Sequence, residues 1–282
     1  MDWSTMGNEE NYCFDVAGYL HVRGVLTRDE IDALCQALDE SGRTEEMLGW
    51  PAPLQTPFRD LLVHPRLVWY LNQIIGYGFR LDQEPKLLCD STCDVTAPLV
   101  GGGEPRDPAR AYYFQNGRRY CQAVQAIWAL ADVKGDDGGF VMVPGTHKSN
   151  VETPEDVAIG RDEMGLVFQP SLETGDLLLV AGTILQGMRP WSGTDPQRLL
   201  SYSYAGRAAL QSAGTGPKTK GNSSPKWHRD ISAEQSASLY RPDYQDSVPP
   251  PVVVTDGEMV ELDESREVFH PSIYKLDVDS GI

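Results

Sequence analysis

Apolar positions in the first third of the chain recur at helical spacing. Ile31, Leu34, Cys35 and Leu38 follow Thr27 and Glu30, a capping box in which each side chain satisfies a free N–H of the first turn, so the spacing predicts a helix here. A second helix is predicted from Pro65, whose ring suits the first turn, through Leu67, Val68, Leu71, Ile74 and Ile75 to a stop at Gly76. Gly18–Val22 ahead of them reads as a short strand. After Gly78 the pattern changes to short runs punctuated by Gly, Pro and Asp: Gly78–Leu81, Lys86–Cys89, Ala123–Val133, Gly139–Val143, Asp176–Ala181 and Leu199–Ala205. Such runs predict strands of a sandwich or barrel, with Lys134–Gly138 as a turn between neighbouring strands.

Beyond the strands, 207–230 is predicted to be a loop or lid, because its Gly, Ser, Ala and Lys show no periodicity up to about Ser224. Ser232 with Gln235 predicts one more helix start, ending before Pro242, and 249–282 reads as an acidic C-terminal extension. The whole chain, 1–282, is expected to be a single domain with a mainly β core over about 78–206.

Charge narrows the partners. With 24 basic and 41 acidic residues the formal charge is −17, a surface that repels phosphate, so nucleic acid is not expected as a partner. Leu177–Leu185, the longest nearly apolar run, is far shorter than the roughly 20 residues a membrane helix needs, so no membrane partner is expected. The N-terminus carries Asp2, Glu9 and Glu10 and lacks a basic cluster ahead of an apolar run, which points away from secretion and to the cytoplasm. Five cysteines, Cys13, Cys35, Cys89, Cys93 and Cys121, are then expected as thiols. Neither a phosphate-binding glycine loop nor a Gly-x-Ser-x-Gly nucleophile elbow is present.

One segment is far more specific. Trp128-Ala-Leu-Ala-Asp-Val133, followed by Gly138-Gly-Phe-Val-Met-Val-Pro-Gly-Thr-His-Lys148, closely resembles the corresponding segment of the phytanoyl-CoA dioxygenase family. Gly175-Asp176, Gly187-x-x-Pro190-Trp191, Arg198-Leu-Leu-Ser-Tyr-Ser-Tyr204 and the opening Phe14–Leu20 match in the same order. The resemblance implies a double-stranded β-helix, a cupin-like cup of two facing sheets. It also implies Fe(II) held by two histidines and a carboxylate, with 2-oxoglutarate chelating the metal; three protein ligands leave positions open for cosubstrate and oxygen.

The ligand positions implied by the resemblance hold other residues. The His-x-Asp pair falls on Val100 and Gly102, and the last histidine on Gln186, 39 residues after His147. Valine offers no donor atom, and an amide is a poor iron ligand beside imidazole. The expectation is therefore a degenerate iron site with no cofactor, Fe(II) and 2-oxoglutarate being the alternative with Asp90, Asp94 or Glu104 as carboxylate. Arg198 matches the family's carboxylate clamp and is expected to hold an acid. Gln186, Tyr113 and Trp128 are the candidate catalytic groups facing the cup, with Tyr112 against Tyr113 and Gln125 against Gln122 left open by the unknown register.

Among the histidines, His147 belongs to the Pro-Gly-Thr-His turn and is read as structural, and His21, His64 and His270 as packed or solvated. His228-Arg229-Asp230, a literal His-x-Asp, follows the last barrel strand and is set aside as a ligand pair. Three functions remain open: metal-independent chemistry on a small organic molecule, a carboxylic acid among the candidates; a non-catalytic binding relative; and an Fe(II)/2-oxoglutarate oxygenase with unusual ligands.

Overall fold

The computed structural model describes residues 5–88, 98–103, 110–135, 137–193, 196–206, 209, 226–239, 252–255 and 257–261. Four helices precede the barrel: α1 (Asn8–Ala17), α2 (Arg28–Ser41), α3 (Thr56–Leu61) and α4 (Pro65–Ile74), with β1 (Tyr19–Val22) between the first two. The α2 cap forms as its sequence predicts. Thr27 Oγ1 accepts from the Glu30 N–H at 3.4 Å, and Glu30 Oε2 accepts from the Thr27 N–H at 2.8 Å. At α4, Pro65 occupies the first turn and His64 Nδ1 accepts from the Arg66 N–H at 3.3 Å.

The barrel is built from β2 (Arg80–Leu87), β5 (Ala123–Ala129), β6 (Gly139–Val143), β7 (Leu177–Ala181), β8 (Leu185–Arg189) and β9 (Leu199–Ala205), and β3 (Tyr112–Gln115) and β4 (Arg118–Cys121) form a separate hairpin. One sheet runs β1-β7-β5-β9-β2, antiparallel throughout. The facing layer pairs β6 with β8, and single bridges add Phe168 beside Met142 and Val100 beside Gln186. These two four-strand arrangements, with β1 extending the first, make the mainly β double-stranded β-helix that the motifs imply.

Strand alternation separates two cores. Val124, Ala126, Trp128, Leu177, Leu179, Leu200, Tyr202 and Tyr204 face the helices and pack on Leu34, Phe58, Leu62, Leu67 and Leu71. Ile127, Ala129, Leu178, Val180 and Leu199 face the other way, into the cup, where they meet Phe140, Met142 and Trp191. The inner sheet is thus buried on both faces, which is why β5, β7 and β9 read as nearly continuous apolar runs.

Several expectations change. Lys134–Gly138 does not join paired neighbours: β5 and β6 belong to different sheets, and the segment carries the chain across the barrel. Gly78–Leu81 and Lys86–Cys89 fuse into one irregular strand, β2, with register shifts between Leu81, Gln83 and Lys86. The expected run Ala123–Val133 ends as a strand at Ala129, and Val133 makes an isolated bridge to Leu172. The β3–β4 hairpin and β8 were not expected as strands. A short helix, α5 (Glu155–Ala158), lies between β6 and β7; near the C-terminus, α6 (Ala233–Leu239) begins as predicted, with Ser232 Oγ accepting from the Gln235 N–H, and β10 (Val252–Thr255) and β11 (Glu258–Glu261) form a hairpin. The loop 207–224 lies outside the described residues apart from Ala209, as do Cys89, Cys93, His270 and most of the tail.

Candidate functional site

The ligand positions implied by the resemblance come together. Val100 and Gln186 are directly opposed, Val100 N donating to Gln186 O at 2.8 Å and Gln186 N to Val100 O at 2.9 Å. Opposed residues send their side chains to the same face of a sheet, here the cup side, because Leu185 and Leu99 pack together on the outer face. Gln186 Oε1 is buried without a hydrogen-bond partner among the described residues. Val100 is 66% exposed at the open edge of this layer.

Gly102 differs from the other two positions: a side chain there is obstructed. Its φ is +65°, and a Cβ would stand 3.0 Å from Leu185 Cβ. Its N–H donates to Thr183 O at 2.8 Å, tying the glycine run to the turn between β7 and β8. A carboxylate at this position would have to adopt a left-handed backbone and press against Leu185, which must give by a few tenths of an ångström. Val100, Gly102 and Gln186 together do not fit a centre of two imidazoles and a carboxylate, and no group of three or more His, Cys, Asp and Glu among the described residues is placed to hold a metal. Asp90, Asp94 and Glu104, the alternative carboxylates, lie outside the described residues.

Three predicted site residues stand elsewhere. Arg198 precedes cup-facing Leu199 and so projects to the helix side, where its guanidinium donates to Asp39 Oδ1 of α2 at 2.5 Å; that bond raises its pKa further. Trp128 is fully buried in the helix-side core, edge-on to His64 at 5.4 Å, and does not face the cup. Tyr113 is 44% exposed on the β3–β4 hairpin, stacked on Tyr120 at 4.6 Å. Tyr112, the other choice, is the buried one, and its hydroxyl donates to Asp15 Oδ1.

His147 is wholly buried, as a structural residue should be. Its Nε2 lies 3.1 Å from Asp15 O, its ring meets Tyr112 edge-on at 4.5 Å, and Lys148 Nζ donates to the same Asp15 carbonyl at 2.6 Å. A Cβ on Gly18 would stand 2.3 Å from its Nδ1, so the glycine after α1 admits the ring. The Pro-Gly-Thr-His-Lys turn thereby locks α1 to the barrel. Gly139, of the Gly-Gly pair, makes similar room for the amide of Gln197, which a Cβ would meet at 2.1 Å.

The register settles the remaining choice in favour of Gln125, which shares the cup face with Ile127 and donates through Nε2 to Ser201 Oγ at 2.7 Å. Lys86 was missed by sequence reading. It is paired in register with Ser201 and emerges on the cup side of β2, a position the irregular strand concealed. Phe140, Met142, Leu178 and Val180 are at most 3% exposed and pack on one another inside the cup, whereas Gln125, Gln186 and Lys86 keep accessible surface.

Comparison with curated proteins yields no match. Solved structures do match over the barrel. HygX from Streptomyces hygroscopicus with nickel and 2-oxoglutarate bound is 22% identical, with a TM-score of 0.63, covering 72% of this chain and 88% of its own. The same protein with iron bound gives 22% identity and 0.63, covering 72% and 87%. SnoK, a non-heme alpha ketoglutarate dependent carbocyclase from nogalamycin biosynthesis, is 16% identical with a TM-score of 0.51, covering 73% and 87%. At these identities the likeness establishes the shared fold. That proteins of this fold hold iron or nickel and 2-oxoglutarate overturns the expectation, drawn from Val100 and Gln186, that no cofactor belongs here. The family model described as phytanoyl-CoA dioxygenase (PhyH) matches residues 14–187, from the end of α1 through the β8 amide, and the chain belongs to that family.

Proposed function

We propose that this protein is an Fe(II)- and 2-oxoglutarate-dependent oxygenase that hydroxylates a small metabolite and uses an unusual set of metal ligands. The observation that carries the reading is family membership over residues 14–187 of a double-stranded β-helix, a fold in which solved structures hold iron and 2-oxoglutarate. The described residues cannot supply the iron ligands alone. Donors from Asp90, Asp94 or Glu104 would have to complete the set, with Gln186 contributing at most an amide oxygen. The part of the described residues is independent of the metal: the packed apolar interior keeps water out, and Gln125, Gln186 and Lys86, which keep accessible surface, supply the polar groups to orient a bound molecule.

Anaerobic Fe(II) titration tests this reading. It expects stoichiometric iron in the wild type and its loss on Asp90→Ala, Asp94→Ala or Glu104→Ala. Wild type that takes up no iron would overturn it.

A further inference from the structure

The helical layer holds a cavity of its own, on the side of the inner sheet away from the cup. It spans about 730 Å³ between α2, α3, the start of α4, the start of α6 and the β10–β11 hairpin, a volume within the range of small-molecule sites. Leu61 and Val63 of the helix-side core close its floor, and Ala33, Pro57 and Met259 keep accessible apolar surface on its walls. Three carboxylates, Asp29, Glu30 and Asp60, line the same cavity, and no lysine or arginine is among the described residues that do. His64, also on the wall, brings no charge at neutral pH, because burial lowers its pKa.

The carboxylates are unequal. Glu30 is engaged in the α2 cap, where its Oε2 accepts from the Thr27 N–H and hydroxyl. Asp60 is solvent-accessible; its carboxylate accepts one long bond, from Gln235 Nε2 at 3.4 Å, and has no ion pair. Partial burial and then the nearby Glu30 charge push the Asp60 pKa up, so its negative charge is unfavourably placed in the chain on its own. Uncompensated carboxylates beside accessible apolar walls complement a molecule with a cation at one end and a hydrocarbon body behind it. We propose that this cavity binds a small organic ammonium compound, its ammonium on Asp60 and its hydrocarbon body on the apolar walls. A primary ammonium has three donors and can serve both Asp60 oxygens, and its charge relieves the repulsion from Glu30. This inference goes beyond the oxygenase reading and does not rest on it, because the inner sheet stands between this cavity and the cup.

The test is calorimetric titration of the full chain at neutral pH with three probes that share one carbon body: 4-phenylbutylamine, 4-phenyl-1-butanol and 4-phenylbutanoate. The expected result is amine binding at least tenfold tighter than the alcohol, and no measurable binding of the acid. Asp60→Asn should bring the amine down to the level of the alcohol. Ala33→Trp, at an exposed position of α2 on the cavity wall, should weaken the amine and the alcohol alike by at least tenfold, because the indole takes up the space of the hydrocarbon body. Both substitutions are at exposed positions, so one tests the idea even where the other perturbs folding. Equal binding of amine and alcohol, no binding of the amine, or affinity for the amine that survives either substitution would overturn the proposal. The readout is binding alone. Amine selectivity without iron uptake would remove the oxygenase reading and leave the cavity; iron-dependent turnover without selectivity would do the reverse.

Discussion

The Asp176 carboxylate takes N–H donors from Gly24 at 2.8 Å and Glu173 at 2.9 Å and lies 2.6 Å from His21 Nε2. Burial by itself would raise its pKa, but these donors outweigh it and hold the carboxyl below the usual range. A depressed folded pKa contributes stability above the unfolded value, about 3.9, that is lost as pH falls through the folded one. Asp176→Asn should therefore cost about 1–3 kcal/mol at neutral pH and flatten the loss of stability below about pH 4, as urea melts across pH will read. Gly102→Ala should cost about 1–2 kcal/mol from its left-handed backbone, before any crowding by Leu185. Arg198→Ala should change stability by less than about 1 kcal/mol, because its ion pair with Asp39 is partly exposed, and should leave ligand binding in the cup intact. An acid that loses affinity on Arg198→Ala would place that side chain back in the cup.

At the scale of elements, what was legible is what local chemistry fixes. The α2 and α6 starts rest on side chains three residues apart, and α4 on a proline at its first turn, so sequence reading places them correctly. Strand β8 escaped because Gly187 interrupts it, and a glycine there is required by Leu99, whose Cδ2 a Cβ would meet at 2.8 Å. The inward or outward sense of Arg198, Trp128 and Lys86 was not legible. Side-chain direction on a strand flips with one residue of register, and that register is set by β5, β7 and β9 pairing across long stretches of chain. The helical layer is bolted to the sheet by the same alternation: Tyr202 and Tyr204, both wholly buried, donate to Phe58 O at 2.8 Å and Leu62 O at 3.0 Å. Tyr202→Phe and Tyr204→Phe should each cost about 1 kcal/mol in chemical denaturation, without altering ligand affinity. A change in affinity would mean that the α3 contact shapes the cup from behind.

The whole molecule places a family barrel, its helix-side core and its cup-side core in one chain, and no helix among the described residues is long and apolar enough to cross a membrane. The ordered motifs made the fold readable because each does packing work: the Gly-Gly pair admits Gln197, the Pro-Gly-Thr-His-Lys turn anchors α1, and Gly-Asp closes on β1 through His21. The cofactor was misjudged from sequence because the residue types at Val100, Gly102 and Gln186 were given more weight than the ordered family motifs, and Asp90, Asp94 and Glu104 were kept only for the alternative. The most direct test of the oxygenase reading is single-turnover conversion of 2-oxoglutarate to succinate by protein reconstituted with Fe(II) without oxygen and then exposed to it. The account predicts succinate in proportion to bound iron, abolished in the acid-to-alanine variant that loses iron. Wild-type protein that neither retains iron nor yields succinate above a metal-free control would contradict it.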